Sequence, residues 1–140
     1  MTTNRATLLA LADRVEKASG PDRELDAAVC VAALGMFEEG GSVGFTGRGD
    51  MRPPPNFTAS IDAALSLVPD GWRVNSADWS IPGRYRWMLK GPCLKRVPND
   101  DGGWDAGDDW YVGAASRGTP ALALTAAALR ALAQEAPSDG

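Results

Sequence analysis

Apolar residues first recur at helical spacing near the N-terminus. Leu8, Leu11, Ala12, Val15 and Ala18 follow the i, i+3, i+4, i+7 rule and predict an amphipathic helix. Gly20-Pro21 ends it, and Pro21 also suits the first turn of a second helix, where a missing N–H costs nothing. Asp22 and Glu24 favour the positive end of that helix's dipole, and its apolar stripe reads Leu25, Ala28, Val29, Ala32 and Met36. Residues 38–56 break the pattern. Glycines 40, 41, 44, 47 and 49 and the run Pro53-Pro54-Pro55 predict a loop, with room for a short edge strand at Val43–Thr46. Asn56 or Thr58 is the expected cap of a third helix carrying Phe57, Ile61, Ala64, Leu65 and Val68, and Pro69 stops it.

The period then changes from helical to alternating. Trp72-Arg73-Val74 opens one strand, and Arg84–Lys90 forms another, with Tyr85, Trp87 and Leu89 on one face and Arg84, Arg86 and Lys90 on the other. Asn75–Gly83 carries turn signals between them. Trp110-Tyr111-Val112 predicts a third strand after a polar connection at 98–109, and Cys93–Val97 could add a fourth. Thr119-Pro120 is a cap followed by a first-turn proline and opens a helix over Ala121–Ala133, beyond which residues 135–140 should fray. Helices grouped apart from strands indicate a single α+β domain with an antiparallel sheet of three or four strands and about four helices.

At 140 residues, 44% of them apolar, the chain can build a core without metal or disulfide support. Its net charge of −4 disfavours nucleic acid as the main partner. The charge is segregated: residues 71–98 carry six cations against one anion, and residues 99–109 carry five aspartates. No apolar run reaches the roughly 18 residues of a spanning helix, and the N-terminus lacks a signal-peptide pattern, so a cytoplasmic location is expected.

Three segments carry a family resemblance: Gly20–Ala28, then Phe57–Leu65 with Val68-Pro69-Asp70-Gly71-Trp72, and the closing Thr119–Leu124 with its alanine-rich helix. Together they resemble small uncharacterised proteins of alphaproteobacterial phages and prophages. More distantly, the chain is similar to the phage ABA sandwich domain, in which helices cover both faces of a sheet. The resemblance spans most of the chain and is weak over 37–56 and 91–109. It implies an α-β-α sandwich and a viral origin, and it transfers no catalytic residue.

The chain contains no histidine, which removes His-based nucleophilic sites and His-ligated zinc. Cys30 and Cys93 cannot complete a structural zinc site, and Cys30, inside the second helix, reads as a core thiol. No metal or cofactor is expected. Asp100, Asp101, Asp105, Asp108 and Asp109 crowd one loop but fail the EF-hand spacing, so a solvated hairpin loop is the simpler reading. Gly41–Asp50 lacks the Gly-Lys-Ser/Thr ending of a P-loop. Of five tryptophans, Trp72 and Trp87 are expected in the core, whereas Trp79, Trp104 and Trp110 stand among polar residues. The function expected from these features is non-enzymatic binding of a host or defence-system protein. Its surface would combine Trp79, Trp104, Trp110, Arg84 and Arg86 with Asp101, Asp105 and Asp108. The alternative is a sponge for a small ligand or nucleotide signal, with Arg48 and Arg52 meeting phosphates. An enzyme working with carboxylates alone is the third and weakest class.

Overall fold

Two helices open the chain as the apolar spacing predicts. In the computed structural model, which describes residues 5–45, 49–91, 96–98, 104–106 and 111–135, α1 spans Arg5–Lys17 and α2 spans Arg23–Leu34. Leu8, Leu11, Ala12 and Val15 of α1 are buried. Helix α2 begins two residues later than the proline rule suggests. Asp22 is its N-cap, accepting from the N–H groups of Glu24 and Leu25, and Pro21 lies outside. Gly35, at φ 69°, ends α2 in the left-handed conformation that only glycine adopts without strain.

The segment expected to be a loop holds a small hairpin. Strands β1 (Phe37–Glu39) and β2 (Ser42–Gly44) pair antiparallel, and the turn uses Gly40 and Gly41 at positive φ. The third helix, α3 (Ile61–Leu65), is shorter than its apolar stripe predicts. Ser60 caps it, its hydroxyl oxygen accepting from Ala63 N–H at 3.2 Å. Neither expected cap serves: the Asn56 side chain accepts from Arg23, and the Thr58 hydroxyl is drawn into a buried interaction. Phe57 and Thr58 are 1% and 0% exposed, and they sit in a turn pinned by side chains from two helices.

That turn is the polar centre of the fold. Asp26 of α2, 1% exposed, accepts both the N–H and the hydroxyl of Thr58 at 2.9 Å. Arg23 completes the arrangement, binding Asp26 at 3.0 Å, the Pro54 carbonyl at 2.7 Å and the Asn56 side chain. From the C-terminal helix α4 (Pro120–Glu135), Thr125 donates to the Phe57 carbonyl at 2.8 Å, and the preceding Thr119 donates to that of Thr58 at 2.9 Å. Thr119 also accepts from Leu122 N–H, which is the cap the sequence predicts for α4. Motif residues quoted for the family resemblance therefore hold this turn between helices. Their role is architectural.

The main sheet has the order β3-β4-β7, all antiparallel, with β3 at Arg73–Asp78, β4 at Tyr85–Lys90 and β7 at Tyr111–Ser116. A further pair, β5 (Arg96–Pro98) and β6 (Trp104–Ala106), lies between β4 and β7 in sequence. So a short strand exists near Cys93–Val97, and the polar connection at 98–109 contains a second one. Strand β3 also runs further than expected, to Asp78, inside the stretch whose composition signalled a turn.

Register on β4 is as the alternation predicts. Trp87 and Leu89 are buried, Tyr85 is half-buried, and Arg86 is exposed. Their face, shared with Val112, Ala114 and Ser116 of β7, packs against α4. Eleven of the sixteen residues of α4 are buried, because it packs on α1, α3, β4 and β7. Trp72 and Trp87 are core residues, each 7% exposed, with indole N–H groups donating to Glu135 and to the Pro120 carbonyl. Gly91 is required beside Trp72, since a Cβ there would meet the indole at 2.7 Å. The opposite face of the sheet carries Arg86, Met88, Lys90 and Tyr111. Among the described residues no helix crosses it, so the sandwich expectation is met on one face only.

The two outer edges of this sheet differ. On β7, Arg130 of α4 donates to the Gly113 carbonyl and Glu16 of α1 accepts from Ala115 N–H, both at 2.8 Å. Arg130 also binds Glu16 and, at 2.9 Å, Asp13. Burial pushes the Glu16 carboxyl up, but the hydrogen bonds from Arg130 and Ala115 outweigh it, and its pKa lies below the ordinary value. On β3, every residue is exposed, and no described element pairs with its outer side.

Candidate functional site

The structure gathers only part of the expected binding surface. Trp79 follows β3 directly and is 45% exposed. It is not a free loop tryptophan, because it packs edge-on against Trp87 (centroids 5.4 Å apart) and Tyr85 (6.4 Å). Arg84 and Arg86 lie at the same end, around Asp78 and Ile81. Hydrogen bonding to Ser80 holds the Asp78 carboxyl below the usual range, and Arg86 and Arg84 add to the effect. The hollow these residues enclose is about 30 Å³. Ligand pockets run to roughly 300–1,000 Å³, so this is a contact surface and not a small-molecule cavity.

Arg52 stands far from that cluster in the fold, bridging its backbone to Val43 at the first hairpin. Trp104 and Asp105 belong to β6, whose side chains lie outside the described residues, as do Arg48, Asp101, Asp108 and Trp110 entirely. The pairing of Arg48 with Arg52 therefore has no geometry to support it.

A larger feature was not legible as a site. Helix α1 packs mainly on α4 and only lightly on α2, which leaves an open groove of about 750 Å³ between α1 and α2. Its floor is aliphatic, from Ala10, Leu11, Ala27, Ala28, Val31 and Ala32. Arg14 on one wall and Glu24 on the other, with Arg23 and Glu38 nearby, supply charge of both signs at the rim. Outside the groove, Leu34, Phe37 and Phe45 are exposed apolar side chains, Phe37 at 61% and Phe45 at 62%. A second hollow of about 330 Å³ opens there beside Leu34, Met36 and Phe45. The sequence assigned Ala28 and Ala32 to the core stripe of α2. Leu25 and Val29 of that stripe are buried, beside Asp26, Ala27 and Cys30, whereas Ala28 and Ala32 are partly buried at the margin of the core. Helical periodicity marks an apolar face without saying whether the protein itself or something else covers it.

A third hollow, of about 610 Å³, lies past the C-terminal end of α1. Lys17, Arg84 and Arg117 surround it with Ser19 and Ser116.

Cys30 is a core thiol. It is fully buried, and burial, with the nearby Asp26 carboxylate, pushes its pKa up to about 11. A thiol so disfavoured as thiolate is a poor nucleophile at neutral pH. Cys93 lies outside the described residues. Among the described residues no three acidic or cysteine side chains converge on a metal position, and no helix is long and apolar enough to cross a membrane. No family model, curated protein or solved structure matches the chain significantly.

Proposed function

We propose that this chain is a binding module that captures a protein partner along the α1–α2 groove. One observation carries the reading: the groove between α1 and α2 is open and has an aliphatic floor, from Leu11, Ala27, Ala28 and Val31, with Val31 41% exposed. A drug-sized ligand would be largely enclosed by one pocket. An open aliphatic groove between two helices, with charge of both signs at its rim, fits a longer, amphipathic occupant, whose apolar side chains enter between the helices. Arg14 and Glu24 on opposing walls can then meet its flanking charges and fix its direction. The phage resemblance makes a host or defence-system protein the partner class we favour.

The test alters the groove at positions that are not fully buried. Ala28→Trp and Val31→Arg alter the floor, whereas Asp62→Ala alters an exposed position on α3. Native mass spectrometry of tagged protein from the host cell should show one stoichiometric protein that both groove variants lose and Asp62→Ala retains. Retention by both groove variants would refute the reading.

The basic hollow beside α1 supports a second reading, a binder of small phosphate-bearing ligands. Lys17, Arg84 and Arg117 provide three cations around one space of sufficient size, and the Glu16 carboxylate that lines it is paired with Arg130. Under this reading a nucleotide co-purifies in place of a protein, and Arg84→Ala with Arg117→Ala removes it.

A further inference from the structure

Strand β3 has a sequence that is complementary to itself, and its geometry allows the complement to be used. The strand reads Arg73-Val74-Asn75-Ser76-Ala77-Asp78. Laid antiparallel against a second copy about a two-fold axis between Asn75 and Ser76, it sets Arg73 opposite Asp78 of the other copy, and Val74 opposite Ala77.

In a regular strand this register would fail. Directly opposed residues must share a face of the sheet, and positions 73 and 78 differ by an odd number, so they would point to opposite faces. Strand β3 is not regular. Its pairing with β4 slips between Val74 and Ser76, where Asn75 is the extra residue of a bulge. The slip puts Arg73 and Asp78 on one face, opposite Lys90 and Arg86, and Val74 and Ala77 on the other, opposite Leu89 and Trp87. A bulge commonly blunts an edge. Here it also brings the two halves of the strand into matching phase.

The backbone agrees with this register. On β7, Gly113 C=O and Ala115 N–H point outward to Arg130 and Glu16, so residues 112, 114 and 116 bond to β4. Alternation along β4 then directs Arg86, Met88 and Lys90 toward β3. The residues of β3 turned outward are Val74 and Ala77, which become the hydrogen-bonded pairs between copies. Arg73 and Asp78 become the non-bonded pair, in which opposed side chains come closest. On the inner side, Val74 and Trp79 are 39% and 45% exposed, and the added strand would lie beside them.

We infer that the protein forms a two-fold homodimer by antiparallel pairing of β3 with β3 of a second copy, giving a continuous six-stranded sheet of order β7-β4-β3-β3-β4-β7. The dimer is independent of what fills the α1–α2 groove.

Charge reversal tests the register directly. In Arg73→Asp, an aspartate faces Asp78 of the other copy twice across the axis, and in Asp78→Arg two pairs of arginines do the same. Sedimentation velocity over a concentration series should show each single reversal raising the dissociation constant by about tenfold or more. The double reversal, Arg73→Asp with Asp78→Arg, should return most of that loss, because opposite charges face each other again. Ala77→Pro removes an outward N–H and should abolish the dimer, with far-ultraviolet circular dichroism confirming that the fold persists. A wild type that stays monomeric across the series overturns the proposal. So does a dimer indifferent to the single reversals, or one that the double reversal fails to restore.

Discussion

Helix α4 and strand β3 stand at the two extremes of burial in this fold. Eleven residues of α4 are buried, and none of β3 is. Helix α4 is surrounded by α1, α3, β4 and β7, so its side chains contribute packing on almost every side. Strand β3 is attached through one ladder to β4 and by little else. Stability and interaction capacity are therefore divided between different elements. Substitutions in the first should unfold the protein, and those in the second should alter what it touches.

The largest effect should come from α4. Leu129→Ala or Leu122→Ala removes a fully buried side chain from a site enclosed by several elements. A loss of about 3–4 kcal/mol is expected by urea denaturation, the range for cavities that cannot collapse. A loss under about 1 kcal/mol would mean that α4 repacks freely, and the division drawn above would dissolve. Asp26→Ala should cost about 3 kcal/mol, because it leaves the Thr58 N–H buried without its acceptor, the Thr58 hydroxyl with only its longer bond to the Asp22 carbonyl, and Arg23 without its ion-pair partner. The comparison sharpens if Asp26→Asn recovers only part of this loss.

Much of this organisation was legible in the sequence, and the failures have physical causes. The stripe Leu8, Leu11, Ala12 and Val15, the Tyr85–Leu89 alternation and the Thr119-Pro120 cap are local signals, and each marks a real element. Thr58 misled because a threonine before a helix normally caps it, whereas a buried carboxylate 32 residues earlier takes its hydroxyl here. Ser60, two residues on, does the capping. Strand β3 was half-hidden because Asn75, Ser76 and Asp78 are turn formers by composition, and pairing with β4 overrides that preference. The α1–α2 groove was illegible for a different reason. Alanines lining an open groove have the same spacing as alanines in a core.

The edge clamp on β7 should rank next. Glu16→Gln is expected to cost about 1–2 kcal/mol at neutral pH, since it weakens the charge-assisted bonds to Arg130. The folded-state pKa of Glu16 is depressed, so its contribution is present above the unfolded value near 4.5 and is lost as pH falls through the folded one. The stability gap between wild type and Glu16→Gln should therefore close on acidification below about pH 4. A gap that persists at pH 2 would assign the effect to packing instead of charge.

The smallest effects belong to the β3 end. Trp79→Ala should cost only about 1 kcal/mol, the worth of an aromatic pair on a half-exposed ring. Ser76→Ala, at an exposed strand position, should fall within about 0.5 kcal/mol of wild type in dilute solution. Denaturation midpoints at one low protein concentration give both values. A several-kcal/mol loss at Ser76 would show that β3 is a structural strand after all.

The guanidinium and carboxylate seated on the β7 edge carry a consequence for valence. A three-stranded sheet with two bare edges is a building block that can add neighbours on both sides, and repeated addition has no natural end. Arg130 and Glu16 occupy the backbone groups that a newcomer would need on one of those sides. Among the described residues that leaves β3 as the open edge of this sheet. Under the pairing proposed above, the sheet would add one neighbour and then stop, so its growth would end in a closed pair and not in a fibre.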